Sequence, residues 1–451
     1  MRVRVRLVLG ALAGTALGVT GVMTAISAAA LTVTTTTYTI GVDNASPSGH
    51  DYQYVDFFPR GLPLTGEGQV SSTVIPDDST VDFKWNSGSP DGFHTATLLK
   101  AGTAPGAATW GSDHPLVVPE GENAEPGQLQ INPGVAFPSS PGCGFGPQAA
   151  CDYSGSELNS GALPTASGAV FSVHIFLDTS QPTTIHFVCL IHPGMQGALT
   201  IVPNVSEISS SLSTQATLDA AAATQYAADT QEANTAENQA NSKAVTQNAD
   251  GTHTITMSAG TASAHVEVAE MLPSRVEIRP SDHVKWVTGT KSDIHTVTFP
   301  PGSNPTTEPL PFVCESAGGP DTAATGPPPT GCGTNPALFE IHFNPGAVGG
   351  TVIGTSSTVA TSGVIANPPA PFPTGYTFSF PNSGTFAYQC RIHDHMVGTI
   401  VVNPAQAVSH PAVLAQTGGG RFPFSPLPVA VGSALALLGL AGLGLRRRSR
   451  V

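Results

Sequence analysis

Short apolar runs alternate with polar positions along most of this chain, and their period is two. Val81-Asp-Phe83-Lys-Trp85, Phe171-Ser-Val173-His-Ile175, Val284-Lys-Trp286 and Tyr376-Thr-Phe378-Ser-Phe380 each place apolar side chains at alternate positions. On a pleated strand such positions share one face, so the pattern predicts strands with one side toward a core. Frequent Gly and Pro between them mark turns. One stretch departs from this pattern. Ser206 to Asp250 is rich in Ala, Gln, Thr, Asn and Ser, with no Pro or Gly before Gly251. Ala and Gln are good helix formers, and Leu218, Ala222 and Tyr226 stack at four-residue spacing, so Leu218 to Ala244 reads as a helix. Its apolar stripe is narrow, which suits a spacer or a domain-bridging strut, and no site is assigned to it.

The two ends carry longer apolar stretches. Arg2, Arg4 and Arg6, an apolar run from Leu7 to Ile26 and Ala28-Ala29-Ala30 read as a secretory signal peptide over residues 1–30, the alternative being a membrane anchor. At the far end, Leu414-Ala-Gln-Thr417-Gly418 precedes a 17-residue apolar run from Val429 to Leu445, followed by Arg446, Arg447, Arg448 and Arg450. Such a run is just long enough to cross a bilayer, and the basic tail would stay on the cytoplasmic side. The order of motif, apolar run and basic tail resembles a sortase sorting signal, the LAxTG variant of high-GC Gram-positive bacteria. That resemblance implies cleavage between Thr417 and Gly418 and attachment of Thr417 to the cell wall of an actinobacterial cell, with sortase as a partner. A plain C-terminal membrane anchor is the alternative. Either places the folded part outside the cell.

The 387 residues between residue 30 and residue 418 are enough for two domains and a connector. We expect an all-β protein of two antiparallel sandwiches. The boundaries are 31–204 for the first, 205–250 for the Ala/Gln/Thr-rich helical linker, 251–404 for the second, and 405–451 for the final linker, sorting motif, transmembrane segment and tail. Eight of the 17 Lys+Arg lie in the leader and beyond Gly418, so 9 remain against 31 acidic residues, a net charge of −22. A surface of that sign repels nucleic acid and attracts cations and basic partners.

Chemistry concentrates in one short motif that occurs twice. Cys189-Leu-Ile-His192-Pro-Gly-Met195 and Cys390-Arg-Ile-His393-Asp-His-Met396 lie 201 positions apart, and His94 and His295 each precede the Cys by 95 residues. Trp85 and Trp286, nine residues before those histidines, and Gly197 and Gly398, two after the Met, keep the same offset. Thiolate, imidazole and thioether are soft or borderline ligands, and two His with one Cys and a weak axial Met make a blue-copper site. Zinc is the competing ion, disfavoured by the thioether and the exported location. Of the other histidines, His174, His186, His265, His283 and His342 sit in strand-like patterns and read as structural.

These two segments resemble the plastocyanin and amicyanin group of cupredoxins, and Cys189-Leu-Ile-His192-Pro193-Gly-Met195 is similar to the short amicyanin-type ligand loop. The resemblance implies Greek-key β-sandwiches over roughly 31–204 and 251–404. It assigns one copper to His94, Cys189, His192 and Met195, and a second to His295, Cys390, His393 and Met396. The chain departs from minimal members in a long insertion between the first His and the Cys of each half. Cys143 and Cys151 lie in one insertion, Cys314 and Cys332 in the other; in an exported protein they read as one disulfide per domain, leaving Cys189 and Cys390 for metal. Asp394-His395 replaces Pro193-Gly194, so His395 either competes as a ligand or faces solvent.

Four protein ligands leave no open position on the ion, which favours outer-sphere electron transfer with separate donor and acceptor proteins over catalysis. Copper sequestration or delivery at the cell envelope uses the same ligands. A two-domain multicopper oxidase is the enzymatic reading, but it needs His-x-His pairs in several strands. Here Val188 and Leu190 flank Cys189, Gln389 and Arg391 flank Cys390, and the only His-x-His is His393-Asp-His395.

Overall fold

The computed structural model describes residues 36–61, 73–86, 93–119, 129–139, 150–164, 168–203, 212–242, 244–303, 313–314, 322–323, 339–340, 342–343, 346–367, 372–393 and 395–404. The leader, the sorting motif with Thr417 and Gly418, the C-terminal apolar run, Cys143 and Cys332 lie outside them. Among the described residues no helix is long and apolar enough to cross a membrane.

Among the described residues the chain is β-strands apart from one long helix and two short helical turns, Ala107–Trp110 and Pro133–Ala136. In the first half, one sheet runs in the order Cys151–Tyr153, Val170–Ile175, Ser79–Trp85, Thr37–Val42, Phe57–Phe58. A second sheet runs Leu158–Asn159, Thr97–Leu98, Thr183–Val188, Gln196–Val202, Thr73–Pro76. The second half repeats the plan. Its first sheet orders Tyr52–Tyr54, Val266–Leu272, His253–Ala262, His283–Gly289 and Gly375–Ser379, with Ala244–Gln247 also on His253–Ala262; its other sheet orders Arg275–Ile278, Val397–Val402, Gly384–Gln389, Thr298–Phe299 and Ala360–Thr361.

The alternation read from sequence closes these cores. Val81, Phe83 and Trp85 are buried beside Phe171, Val173, Ile175 and Phe187; Val284 and Trp286 are buried beside Phe378, Phe380 and Tyr388. Both repeated tryptophans are wholly buried, each contributing roughly 2–3 kcal/mol through loss of contact with water. Gly197 and Gly398 have the same cause. Each faces an aromatic residue across the sheet, Phe187 or Tyr388, and a Cβ would fall 2.3 Å from that ring.

The halves are interlocked. Tyr52–Tyr54 leaves the first half to pair antiparallel with Val266–Val268 of the second. His342–Phe343, from the second insertion, pairs with Leu129–Ile131 of the first.

The helix spans Gln215–Ala240, capped by the Thr214 side chain accepting from Thr217 N. It lies on both halves: Leu218 joins the first core, while Ala233 packs with Tyr52, Tyr54, Phe58, Val266, Val268 and Leu272. Its apolar stripe is narrow because its buried stripe is largely polar, with Gln225, Asp229, Ala233 and Glu237 following one another at four-residue steps. Gln225 donates to Phe57 O and Asp56 Oδ2, Asp229 takes the Arg60 guanidinium at 2.7 and 2.8 Å, and Glu237 accepts from Tyr52 OH at 2.6 Å. Arg60 also pairs with Asp56, so one buried cation sits between two buried carboxylates.

Candidate metal centres

His94 ends the short strand Phe93–His94, which pairs with Leu163–Pro164. Cys189 follows Thr183–Val188, and His192 and Met195 occupy the turn leading into Gln196–Val202. That turn is pinned by Met195 N donating to His192 O at 3.1 Å and Cys189 N donating to Met195 O at 3.0 Å. The second half matches bond for bond: Met396 N to His393 O at 3.0 Å, Cys390 N to Met396 O at 2.9 Å. The strand end therefore brings Cys, His and Met to one place, and the distant His arrives from its own strand.

In the first site the Nδ1 atoms of His94 and His192 face each other at 3.1 Å, with Cys189 Sγ 3.5 Å from His192 Nδ1. In the second, His295 and His393 Nδ1 are 3.2 Å apart and Cys390 Sγ is 3.7 Å from His393 Nδ1. His94, Cys189, His192 and Met195 are all buried, as are His295, Cys390, His393 and Met396. His395 is exposed and stands apart from the second cluster.

Electrostatics favours a cation in both. Burial alone would raise the Cys189 thiol, but the His192 charge and hydrogen bonds from His192 and His94 hold it well below the usual thiol range. Cys390 is lowered in the same way, by hydrogen bonds from His295 and His393 against its burial. Burial would depress His192, yet Cys189 and Asp293 push it up to about 10. Two facing Nδ1 atoms cannot both carry a proton at 3.1 Å, so the field that draws a proton there draws a metal ion as well. Two buried imidazoles and a buried thiol converging on one point, with a buried Met closing the loop, make a donor set that points to copper.

No family model matches this chain, and no curated protein does. Among solved structures, a reduced amicyanin mutant is 14% identical over 36% of this chain and 94% of its own, with a TM-score of 0.17. Auracyanin from the photosynthetic bacterium Roseiflexus castenholzii is 16% identical over 38% of this chain and 98% of its own, with a TM-score of 0.19. A multicopper oxidase is 10% identical over 81% of this chain and 88% of its own, with a TM-score of 0.17.

Around the ligands stand residues that the motif does not contain. Thr95 N donates to Cys189 Sγ at 3.4 Å while its hydroxyl accepts from Leu190 N at 2.8 Å; Thr296 does the same for Cys390 and Arg391 N, at 3.3 and 2.8 Å. Both follow the first His directly, so the offset of 201 already carried them. Asp43 and Asp293 had no such signal. Asp43 Oδ2 faces His94 Nε2 at 3.3 Å. In the second half Gly260 lies against the matching nitrogen: at φ +74 it adopts a conformation side chains resist, and a Cβ would fall 2.4 Å from His295 Nε2. Asp293 Oδ1 lies 3.6 Å from His192 Nε2, and its Oδ2 lies 3.9 Å from His393 Nε2. Although burial opposes its ionisation, these histidines hold Asp293 well below the usual carboxylate range.

Cys189 and Cys390 are free thiols, and Cys151 is disulfide-bonded. The partners expected for Cys151 and Cys314, namely Cys143 and Cys332, fall outside the described residues. Of the other histidines, His174 bridges Asp78 and Asp152 at 2.8 and 3.0 Å.

Proposed function

We propose that this chain is an electron carrier of the cell exterior, binding one type 1 copper ion in each of its two sites. The observation that carries this reading is the duplicated, fully buried set of two His and one Cys with a following Met, built identically in both halves. Bound copper supplies one-electron redox chemistry there. The residues of the chain do the rest: Thr95 and Thr296 fix the sulfur atoms, the Cys-to-Met turns fix one imidazole each, and burial keeps water and substrate from the ion. A ligand set held in one geometry suits electron transfer without ligand exchange. Export through the leader and retention at the wall by the LAQTG motif, Thr417 and Gly418 complete the reading, with redox donor and acceptor proteins as partners.

Copper titration of the purified protein, followed by visible spectroscopy and voltammetry, tests it. Two equivalents should bind, give an intense blue colour and cycle reversibly, without oxygen consumption on phenolic substrates. A colourless loaded protein would overturn the type 1 assignment. Release of Cu(I) to a chelator on reduction would turn the reading to delivery or storage, and sustained oxygen reduction would turn it to an oxidase.

A further inference from the structure

The outward edge of each second histidine is not open to solvent. His192 is 4% exposed and His393 2%, and between their Nε2 atoms sits Asp293, itself only 9% exposed. A histidine that offers Nδ1 to a metal carries its proton on Nε2. Two N–H donors from opposite halves therefore converge on one carboxylate, whose two oxygens are acceptors only.

The carboxylate is firmly placed. Glu267, wholly buried, accepts from Lys291 N at 2.9 Å, Ser292 N at 3.0 Å and Ser292 Oγ at 3.0 Å, and Thr290 Oγ1 donates to Asp293 O at 2.8 Å. Asp293 Oδ2 has no hydrogen-bond partner of its own among the described residues, and it points at His393. Among the described residues the bridge is single. Asp293 stands two residues before His295, and the corresponding position before His94 is Gly92.

We propose that His192, Asp293 and His393 join the two sites into one relay, so that an electron taken up at either site passes to the other inside the molecule. This rests on the copper reading above. With copper in both sites the exchange would balance by itself: the ion that gives the electron would go from Cu(I) to Cu(II), the one that takes it from Cu(II) to Cu(I), and no proton or third reagent would be consumed. A relay also gives the buried edges a use, because each imidazole is turned toward its counterpart in the other half instead of toward a partner protein.

The test uses the full, copper-loaded protein carrying Met396→Leu, which shifts the second site's potential and so separates the two signals. Less than one equivalent of electrons is delivered by pulse radiolysis, and their redistribution between sites is followed by absorbance. The relay requires a first-order redistribution whose rate is independent of protein concentration. Asp293→Ala should slow it by roughly an order of magnitude with both blue bands intact. Asp293→Asn should slow it too, because a carboxamide sets an NH2 against one of two N–H donors, and this variant decides the matter should the alanine protein fail to load copper. A rate proportional to protein concentration, or an unchanged rate in the Asn variant, would overturn the relay. If the parent protein forms no blue centres, the copper reading fails first and the relay falls with it.

Discussion

Asp43 and His94 form a buried pair that has no counterpart among the described residues of the second half: the carboxylate Oδ2 lies 3.3 Å from the imidazole Nε2, and both side chains are wholly inaccessible. Asp43, at φ 58, also accepts from Asn44 N at 2.6 Å and Tyr54 N at 2.9 Å through Oδ1, which fixes the direction of the other oxygen. A negative charge behind a ligand favours the more positive state of the ion. The first site should therefore have the lower potential of the two. Asp43→Asn should raise it by on the order of 1–3 kcal/mol of redox free energy, at an effective dielectric of about 20, leaving the second site nearly unchanged. Voltammetry resolving two waves checks this, and an unmoved first wave would sink it.

The axial residues give a second redox expectation. Met195→Leu and Met396→Leu should each keep the blue colour and shift one potential upward, since a weak axial thioether stabilises the oxidised ion more than the reduced one. Visible spectra with voltammetry on each variant report this directly.

Gly197 and Gly398 carry a stability prediction. An alanine Cβ would meet the Phe187 or Tyr388 ring at 2.3 Å, in fully packed cores where neither ring can retreat freely. Each substitution should cost about 1–3 kcal/mol through overpacking, visible as a lower unfolding midpoint in denaturant. The loss should be present in metal-free protein, which distinguishes it from weakened copper binding.

Arg60 lies between Asp56 and Asp229, with all three side chains buried. Arg60→Met leaves two carboxylates facing each other without a cation, and should destabilise the protein by about 3–5 kcal/mol. Adding Asp56→Asn and Asp229→Asn should recover much of that loss, because the uncompensated charge is then gone. Equilibrium unfolding of the single and triple variants compares the two.

Glu267 sets a pH dependence. Burial, reinforced by the Asp293 charge, pushes its carboxyl up to about 7 in the folded protein, above the ordinary value of 4.5. The folded chain thus holds a proton that the unfolded chain has lost between those values. Its contribution to stability is full below pH 4.5 and falls away as pH rises through 7. Glu267→Gln should flatten the unfolding midpoint over that window, and a slope equal to the parent's would refute the assignment.

The candidate ligands were legible because metal binding asks for particular residue types at fixed spacing, and the sequence carries that spacing twice. Thr95 and Thr296 were legible by the same offset. Asp43 and Asp293 were not, since each is chosen by a tertiary approach: Asp43 reaches a histidine 51 positions away, and Asp293 one in the other half of the chain. The alternation of apolar residues gave the strands and their inward faces. It could not give the helix's seat, because Gln225, Asp229 and Glu237 look like a solvated face until Arg60, Asp56 and Tyr52 are seen to meet them.

The pairing of Tyr52–Tyr54 with Val266–Val268 bears on whether the two halves of the chain can be parted. Halves that keep all their strands at home can be parted by a cut at the linker, and each keeps its own sheets intact. Once a strand is lent across the boundary, separation strips a hydrogen-bonding edge from the borrower and leaves two buried tyrosines of the lender in water. The loan makes the two halves, and the two candidate metal sites they hold, a single unit that no cut at the linker divides without loss.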